Sequence, residues 1–174
     1  MKNIPKDAII RSGSNIYEKV QIGEKFICGH NVLIRDYCKI GDNVSIGTNT
    51  ILDGHITVES NVDIQSCCYL PPKIIIKSNV FIGPNVVFTN DMKPLKEREK
   101  YEPQTTIIEE NVSIGANSTI LPGIIIKKNS FISAASLVTK NIPPNTLYKN
   151  KINPILTKPK WLNELNHKKR WVKK

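Results

Sequence analysis

One apolar residue recurs at every sixth position through the first half of this chain. From Ile10 the steps land on Ile16, Ile22, Cys28, Ile34, Ile40, Ile46, Leu52, Val58, Ile64, Leu70, Ile76, Ile82 and Phe88. Two residues before each stands a second side chain that is small or apolar almost throughout, among them Ala8, Ser14, Val20, Phe26, Val32, Cys38, Val44 and Thr50. Residues two apart share one face of a strand, so an inward pair followed by a gap predicts a short strand and then a turn. The turn chemistry is present. Three residues after the key position come Asn31, Asn43, Asn49, Asn61, Asn79 and Asn85, and Asn accepts the left-handed backbone of a tight corner. Gly23, Gly29, Gly41, Gly47 and Gly83 follow the key position directly. A fixed short period is the mark of a solenoid, in which no repeat can bury its apolar face alone. With three hexapeptides to a triangular coil, the pattern predicts an all-β parallel β-helix of about six or seven coils, stacked roughly 4.8 Å apart.

The period then breaks. Phe88 and Ile108 are twenty residues apart, which is not a multiple of six, and the lattice resumes at Ile108, Ile114, Ile120, Ile126, Ile132 and Val138 with Asn111, Asn117 and Asn129 at corners. Residues 89–106 are therefore predicted to be a loop extruded from a β-helix domain spanning 1–154. The segment is polar, charged and bounded by prolines, and a long loop on a regular scaffold is a usual carrier of function. Pro143, Pro144, Pro154 and Pro159 are expected to end the solenoid. Residues 155–174 are predicted as a basic C-terminal tail helix, formed over Lys160 to Lys174 with Trp161, Leu165 and Trp171 on its buried side.

Charge changes this picture little. The formal net charge is +10, but Leu156 to Lys174 holds seven basic residues against Glu164, a net of +6, which leaves +4 for the rest. A basic excess gathered in a tail argues against a nucleic-acid interface on the body of the protein. Its plain reading is a solvated segment, and its functional one is contact with an anionic cofactor, nucleotide or membrane. No apolar stretch approaches the roughly eighteen residues of a transmembrane segment, and residues 1–15 show no signal-peptide core. A cytoplasmic protein is expected. Of the four cysteines, Cys28, Cys38 and Cys68 fall on inward positions and Cys67 points outward. Without a CxxC pair they read as reduced structural thiols, and no metal is expected.

Three segments carry a resemblance: IGDNVSIGTNTIL (Ile40 to Leu52), FIGPNVVFTND (Phe81 to Asp91) and SIGANSTILPGIII (Ser113 to Ile126). Over about Ile16 to Pro154 the chain resembles the hexapeptide-repeat acyltransferases, and within them the nucleotide-sugar N-acetyltransferases that act on amino sugars linked to UDP or dTDP. The resemblance implies a left-handed β-helix, a feature the periodicity cannot supply because parallel crossovers are normally right-handed. It also implies a homotrimer with sites in the grooves between neighbouring prisms. Acetyl-CoA would lie along each groove as cosubstrate, its thioester near the loop.

Acetyl transfer to an amine needs a neutral nucleophile near the thioester, a donor for the developing oxyanion and a destination for the proton. Many members of the superfamily place a His at the start of the loop as base, where this chain has Asn90 and Asp91. The resemblance makes Asn90 an orienter of the amine or thioester and Asp91 a base or a partner of the sugar. The plain alternative is that both cap a turn. His30, near Arg35, lies a little over three coils before Asn90, roughly 16 Å along the axis. That is too far for a base, and both residues are candidates to contact the nucleotide or diphosphate. His55 and His167 read as a corner residue and a solvated tail residue. In the loop, Arg98, Lys100 and Tyr101 are candidates to close over the sugar nucleotide. For CoA the resemblance points to Gly115, Ala116, Ser133, Ala134, Thr139 and Lys140. Small residues suit a pantetheine arm, and they equally suit any tight corner. The family's G-N-P-A-[KR] turn is replaced by Lys149-Asn150-Lys151-Ile152-Asn153, a departure at the adenine end of the cofactor site.

The function expected is acetyl-CoA-dependent N-acetylation of a nucleotide-linked amino sugar in surface-glycan synthesis. The alternatives are O-acetylation of a sugar or amino-acid hydroxyl, against which the missing loop His counts, and a non-catalytic β-solenoid scaffold. A carbonic anhydrase of the same fold would need three converging His, which His30, His55 and His167 do not supply.

Overall fold

The computed structural model describes residues 4–92 and 102–149, together with the backbone of a strand at Ile155–Thr157. Two-residue strands separated by turns dominate, from Ile9–Ile10 onward. They assemble into three sheets, parallel throughout except for the last strand of the first. The first face has nine strands and begins with Ile9–Ile10, the second has seven and begins with Asn15–Ile16, and the third has six and begins with Gln21–Ile22. Successive strands fall on successive faces, so the chain winds around a triangular prism. Register follows an eighteen-residue coil: Ile10 pairs with Cys28, Ile16 with Ile34, and Ile22 with Ile40. Seven coils result, consistent with three hexapeptides to each.

The inward ladder fills the prism. Cys28, Ile34, Leu52, Ile64, Leu70, Ile76, Ile82, Ile108, Ile114, Ile120, Ile126, Ile132 and Val138 are all fully buried. Each such aliphatic side chain contributes about 1.5–3 kcal/mol by leaving water. The companion position tolerates a hydroxyl where the coil supplies partners. Thr50 Oγ1 donates to the Gln65 carbonyl at 2.9 Å and accepts from the Cys68 amide at 3.2 Å. Ser118 repeats the device, donating to the Gly115 carbonyl at 2.8 Å and accepting from the Ser136 amide. Among the described residues no buried side-chain nitrogen or oxygen lacks a partner. The inward thiols behave as core atoms: burial pushes Cys68 up to about 11 and raises Cys38, so both stay protonated and inert at neutral pH.

The interruption sits in the fifth coil. Val87 pairs with Thr119, and Ile74 with Thr106, each thirty-two residues apart rather than eighteen. Fourteen additional residues therefore leave at one corner and return to it without disturbing the rungs on either side. The loop ends one residue earlier than the pattern suggests. Thr106 belongs to the strand Thr106–Ile108 and is buried, because its hydroxyl accepts the Gly123 amide at 3.1 Å and so replaces an apolar companion.

Two expectations near the C-terminus change. Pro143 and Pro144 do not stop the winding. The coil instead tightens: Ile142 bridges to Ile126 and Tyr148 pairs with Ile132, both sixteen residues apart. The prolines fall in the turn between these contacts, where no ladder amide is needed. Ile155–Thr157, assigned to the tail from the pattern, forms a strand antiparallel to Thr146–Tyr148 at the end of the first face. The helix expected over Lys160 to Lys174 lies outside the described residues. No helix among the described residues is long and apolar enough to cross a membrane.

Candidate active site

Each coil has three corners, and they differ in composition. The corner joining third face to first holds left-handed residues at Lys25, Asn43, Asn61, Asn79, Asn111, Asn129 and Asn145. The corner joining first to second holds Gly13, Asn31, Asn49, Cys67, Asn85, Asn117 and Ala135. Asn dominates both for two reasons. Its short side chain tolerates positive φ, and stacked amides donate to one another from coil to coil. Asn43 to Asn61 is 2.9 Å, Asn111 to Asn129 is 3.1 Å and Asn129 to Asn145 is 3.1 Å.

The second corner, joining second face to third, has no Asn at its left-handed positions. They are Tyr37 (φ 65°), Gly54 (φ 90°), His55 (φ 52°), Lys73 (φ 65°) and Gly123 (φ 74°). The loop springs from this corner. Its departure is pinned by the Thr89 amide donating to the Ile120 carbonyl at 2.9 Å, and its return by the Thr106 amide donating to the Lys73 carbonyl at 3.0 Å. Asn90 and Asp91 are half-buried immediately beyond Thr89, beside the rung of Pro71 and Pro72 on one side and that of Leu121 and Pro122 on the other.

Towards the first coil, the same corner carries a column of polar and aromatic side chains. Arg35 Nη1 donates to Asp53 Oδ1 at 2.7 Å, and the Tyr69 hydroxyl donates to the other Asp53 oxygen at 3.0 Å. That bond to Asp53 is the main reason the Arg35 guanidinium titrates above its ordinary value. The Tyr37 and His55 rings stack at 4.7 Å between centroids, 22° from parallel. Lys19 Nζ donates to the Tyr37 hydroxyl at 2.8 Å and lies 4.9 Å from the ring centroid. The Lys19 amide donates to Asp36.

The structure divides the candidate residues between two corners. Asn90, Asp91, Arg35, Thr139 and Lys140 lie on or beside the second corner. Gly115, Ala116, Ser133 and Ala134 lie on the first, in the sixth and seventh coils. His30 is there too, in the second coil, with Nδ1 3.0 Å from the Ser12 hydroxyl. His30 and Arg35 therefore stand at opposite ends of one strand. Arg98, Lys100 and Tyr101 lie outside the described residues, as does most of the altered turn from Lys149 to Asn153. Gly115 has a structural cause of its own. A Cβ there would run into the Ala134 amide nitrogen and stand 2.8 Å from the Ala134 Cα on the next rung, so its smallness follows from coil spacing. Among the described residues no group of three His, Cys, Asp or Glu side chains stands close enough to hold a metal ion.

Sequence reasoning did not single out Tyr37, Asp53, Tyr69 or Lys73, and took His55 for a simple turn residue. The signal was available at a period of eighteen rather than six: positions 37, 55 and 73 form the one column of corner residues that avoids Asn. Two concavities among the described residues lie on the first coils, one of them at the foot of this same column. One is lined by Glu18, Lys19, Tyr37 and Asp42 and another by Lys39, Thr57 and Glu59. Both are open depressions on the first coils, several rungs from the loop, and they carry no constellation suited to acyl transfer.

Residues 105–140 match the family model described as bacterial transferase hexapeptide (six repeats). No curated protein sequence matches the chain. Among solved structures, a variant of AntD, an N-acyltransferase from Bacillus cereus in complex with dTDP and coenzyme A, is similar at TM-score 0.66 and 22% identity, over 83% of this chain and 88% of that one. A second AntD variant, in complex with dTDP-4-amino-4,6-dideoxyglucose and coenzyme A, is similar at TM-score 0.54 and 21% identity, over 88% and 87%. PerB from Caulobacter crescentus, in complex with coenzyme A and GDP-perosamine, aligns at TM-score 0.52 and 13% identity over 89% of this chain and 56% of that one. At these identities the likeness is one of fold. The chain is a parallel β-helix of hexapeptide repeats, the fold these acyltransferases share.

Proposed function

We propose that this protein is an acetyl-CoA-dependent N-acetyltransferase that acetylates the amino group of a UDP- or dTDP-linked amino sugar, for the assembly of a surface glycan. The observation that carries the reading is the loop that leaves the second corner through Thr89-Asn90-Asp91, with an amide and a carboxylate at its root where an alcohol-acylating enzyme needs a His. An amine with a pKa near ambient pH needs less help from a base than a hydroxyl does.

In the reaction, the neutral amine attacks the thioester carbonyl carbon, the C–S bond breaks and CoA leaves as thiolate. The Asn90 side-chain amide orients the amine or donates to the oxyanion, and the Asp91 carboxylate accepts the proton lost from nitrogen. Thr139 and Lys140 on the second corner, and Gly115, Ala116, Ser133 and Ala134 on the first, serve acetyl-CoA. These two sets lie at opposite edges of the second face, so a single prism does not converge them. Their convergence requires a groove between two copies, which is the arrangement a homotrimer would supply. The run of outward isoleucines Ile75, Ile107 and Ile125, in register on the third face, supplies apolar surface for such packing.

The test is release of free CoA thiol from acetyl-CoA in the presence of a panel of UDP- and dTDP-amino sugars. Thiol release above background is expected, and Asn90→Ala lowers turnover about tenfold or more, as loss of an oxyanion or orienting contact does. Absence of thiol release across the panel, with no binding of acetyl-CoA, would leave the scaffold reading in its place.

A further inference from the structure

We infer that the second corner of the first four coils is the seat of the nucleoside diphosphate half of the acceptor, held by Lys73, His55, Arg35 and Tyr37 on three successive rungs. The inference rests on the acetyltransferase reading for the position of the reacting amine, and on the corner itself for the rest. These left-handed positions are mostly Asn on the other two corners, with Gly13, Lys25, Cys67 and Ala135 as the exceptions, and there the amide suits the turn and bonds to the next coil. Here the positions carry a phenol, an imidazole and an ammonium instead; the imidazole suits a left-handed backbone, but the phenol of Tyr37 and the ammonium of Lys73 gain nothing from it. Nothing in the packing of the prism requires them, since Tyr37, His55 and Lys73 are all exposed.

Asp53 and Asp36 on the column are committed, whereas its donors are not; Glu18 is an exposed acid one rung further on, in the first coil. Asp53 receives Arg35 and Tyr69, one on each oxygen, and Asp36 receives the Lys19 amide. The Lys73 ammonium has no ion-pair partner among the described residues, nor do the ring nitrogens of His55 have a described hydrogen bond. Arg35 uses one guanidinium nitrogen on Asp53 and is otherwise half-exposed. Donors are thus left open on the second, third and fourth rungs, beside a ring pair whose geometry Lys19 secures.

Spacing assigns the parts. Lys73 is one rung from the loop root, roughly 5 Å along the axis, and its carbonyl receives the returning strand. An amine held at Asn90 places the diphosphate on the anomeric carbon of the same sugar about that far away, against Lys73 and then His55. Arg35 and Tyr37 are three rungs from the root, roughly 14 Å, the level an extended acceptor reaches with its ribose and base. The acceptor then runs towards the first coil, and acetyl-CoA, on the residues of the sixth and seventh coils, approaches from the other side.

The experiment measures binding of UDP and of dTDP, each alone, to the full-length protein by calorimetry, together with the KM values of both substrates. Wild type is expected to bind at least one of the two nucleotides. Lys73→Asn and Arg35→Ala should each weaken that binding about tenfold, the scale of one charge-assisted contact, and raise the KM of the nucleotide sugar while leaving the KM of acetyl-CoA unchanged. Lys73→Asn installs the residue the other corners use, so a folding defect is not expected to intervene. Active enzyme whose nucleotide affinity and KM are unmoved by both substitutions overturns the inference and leaves the acetyltransferase reading intact. Protein that releases no CoA yet binds UDP or dTDP in a Lys73-dependent way overturns the reaction and keeps the corner. Failure of wild type to bind either nucleotide overturns the corner.

Discussion

The two corners built on Asn and the one that avoids it solve the same geometric problem with different residues. At Asn43, Asn61, Asn111 and Asn129 the left-handed backbone is matched to a side chain that accepts it, and the amides bond along the axis. At Tyr37 and Lys73 the same backbone is held in residues that do not favour it, and at His55 in one that tolerates it, by the coils above and below. Strained positions persist where surrounding structure over-determines them, and they cluster at binding and catalytic sites. The extruded loop, the Arg35–Asp53–Tyr69 network and the Tyr37–His55 stack all lie on that one corner. On the proposed reading, the acceptor side gathers on the corner that avoids Asn and is separated from the corners whose turns rest on Asn, although the first of those also carries the residues proposed for acetyl-CoA.

This separation can be broken in three ways by substitution and thermal or denaturant unfolding. The largest effect is expected at an Asn corner where the backbone of the next rung is closest. A Cβ at Gly47 would collide with the Ser66 amide nitrogen and the Gln65 carbonyl carbon, so Gly47→Ala should destabilise by about 2–3 kcal/mol while the catalytic parameters of the folded protein stay unchanged. Next comes Asn61→Ala, which leaves a left-handed backbone to a residue that resists it and removes the bond from Asn43. A loss of about 1–2 kcal/mol is expected, again without effect on KM. The smallest is of opposite sign. Lys73→Asn exchanges an exposed, unpaired side chain in a left-handed corner for the residue that suits it, and should raise stability by about 0.5–1 kcal/mol. Together with the weaker nucleotide binding expected of the same variant, that result would show stability given up for function at a single position. Destabilisation by Lys73→Asn equal to that of Asn61→Ala would erase the distinction between corners.

Much of the fold was legible because a solenoid is local. Each hexapeptide repeats the same inward pair and the same corner, so the run from Ile10 to Phe88 predicts its own strands, and the break before Ile108 announces the loop. Cys28, Cys38 and Cys68 were readable as core for the same reason. The candidate site was half legible. Asn90 and Asp91 stand out because they open the interruption, and Arg35 because it is a cation within the lattice. Gly115 pointed to the cofactor by its size, yet its size is imposed by Ala134 on the next coil. The end of the solenoid was misjudged at Pro143 and Pro144, because a proline pair blocks a ladder only where a ladder amide is needed, and these two fall in a turn.

By itself the sequence determined the hexapeptide period, the inward ladder, the strand and turn positions and the place of the loop, since each depends on residues within one turn of the coil. Only the tertiary structure decided which corners stack above one another. That Tyr37, His55 and Lys73 form one column leading to the loop follows from an eighteen-residue register between coils, and that Thr106 is core follows from its pairing with Ile74 across the interruption. The physical reason is that function here is carried by contacts between rungs. Those contacts join residues about a full coil apart, a separation the short period conceals.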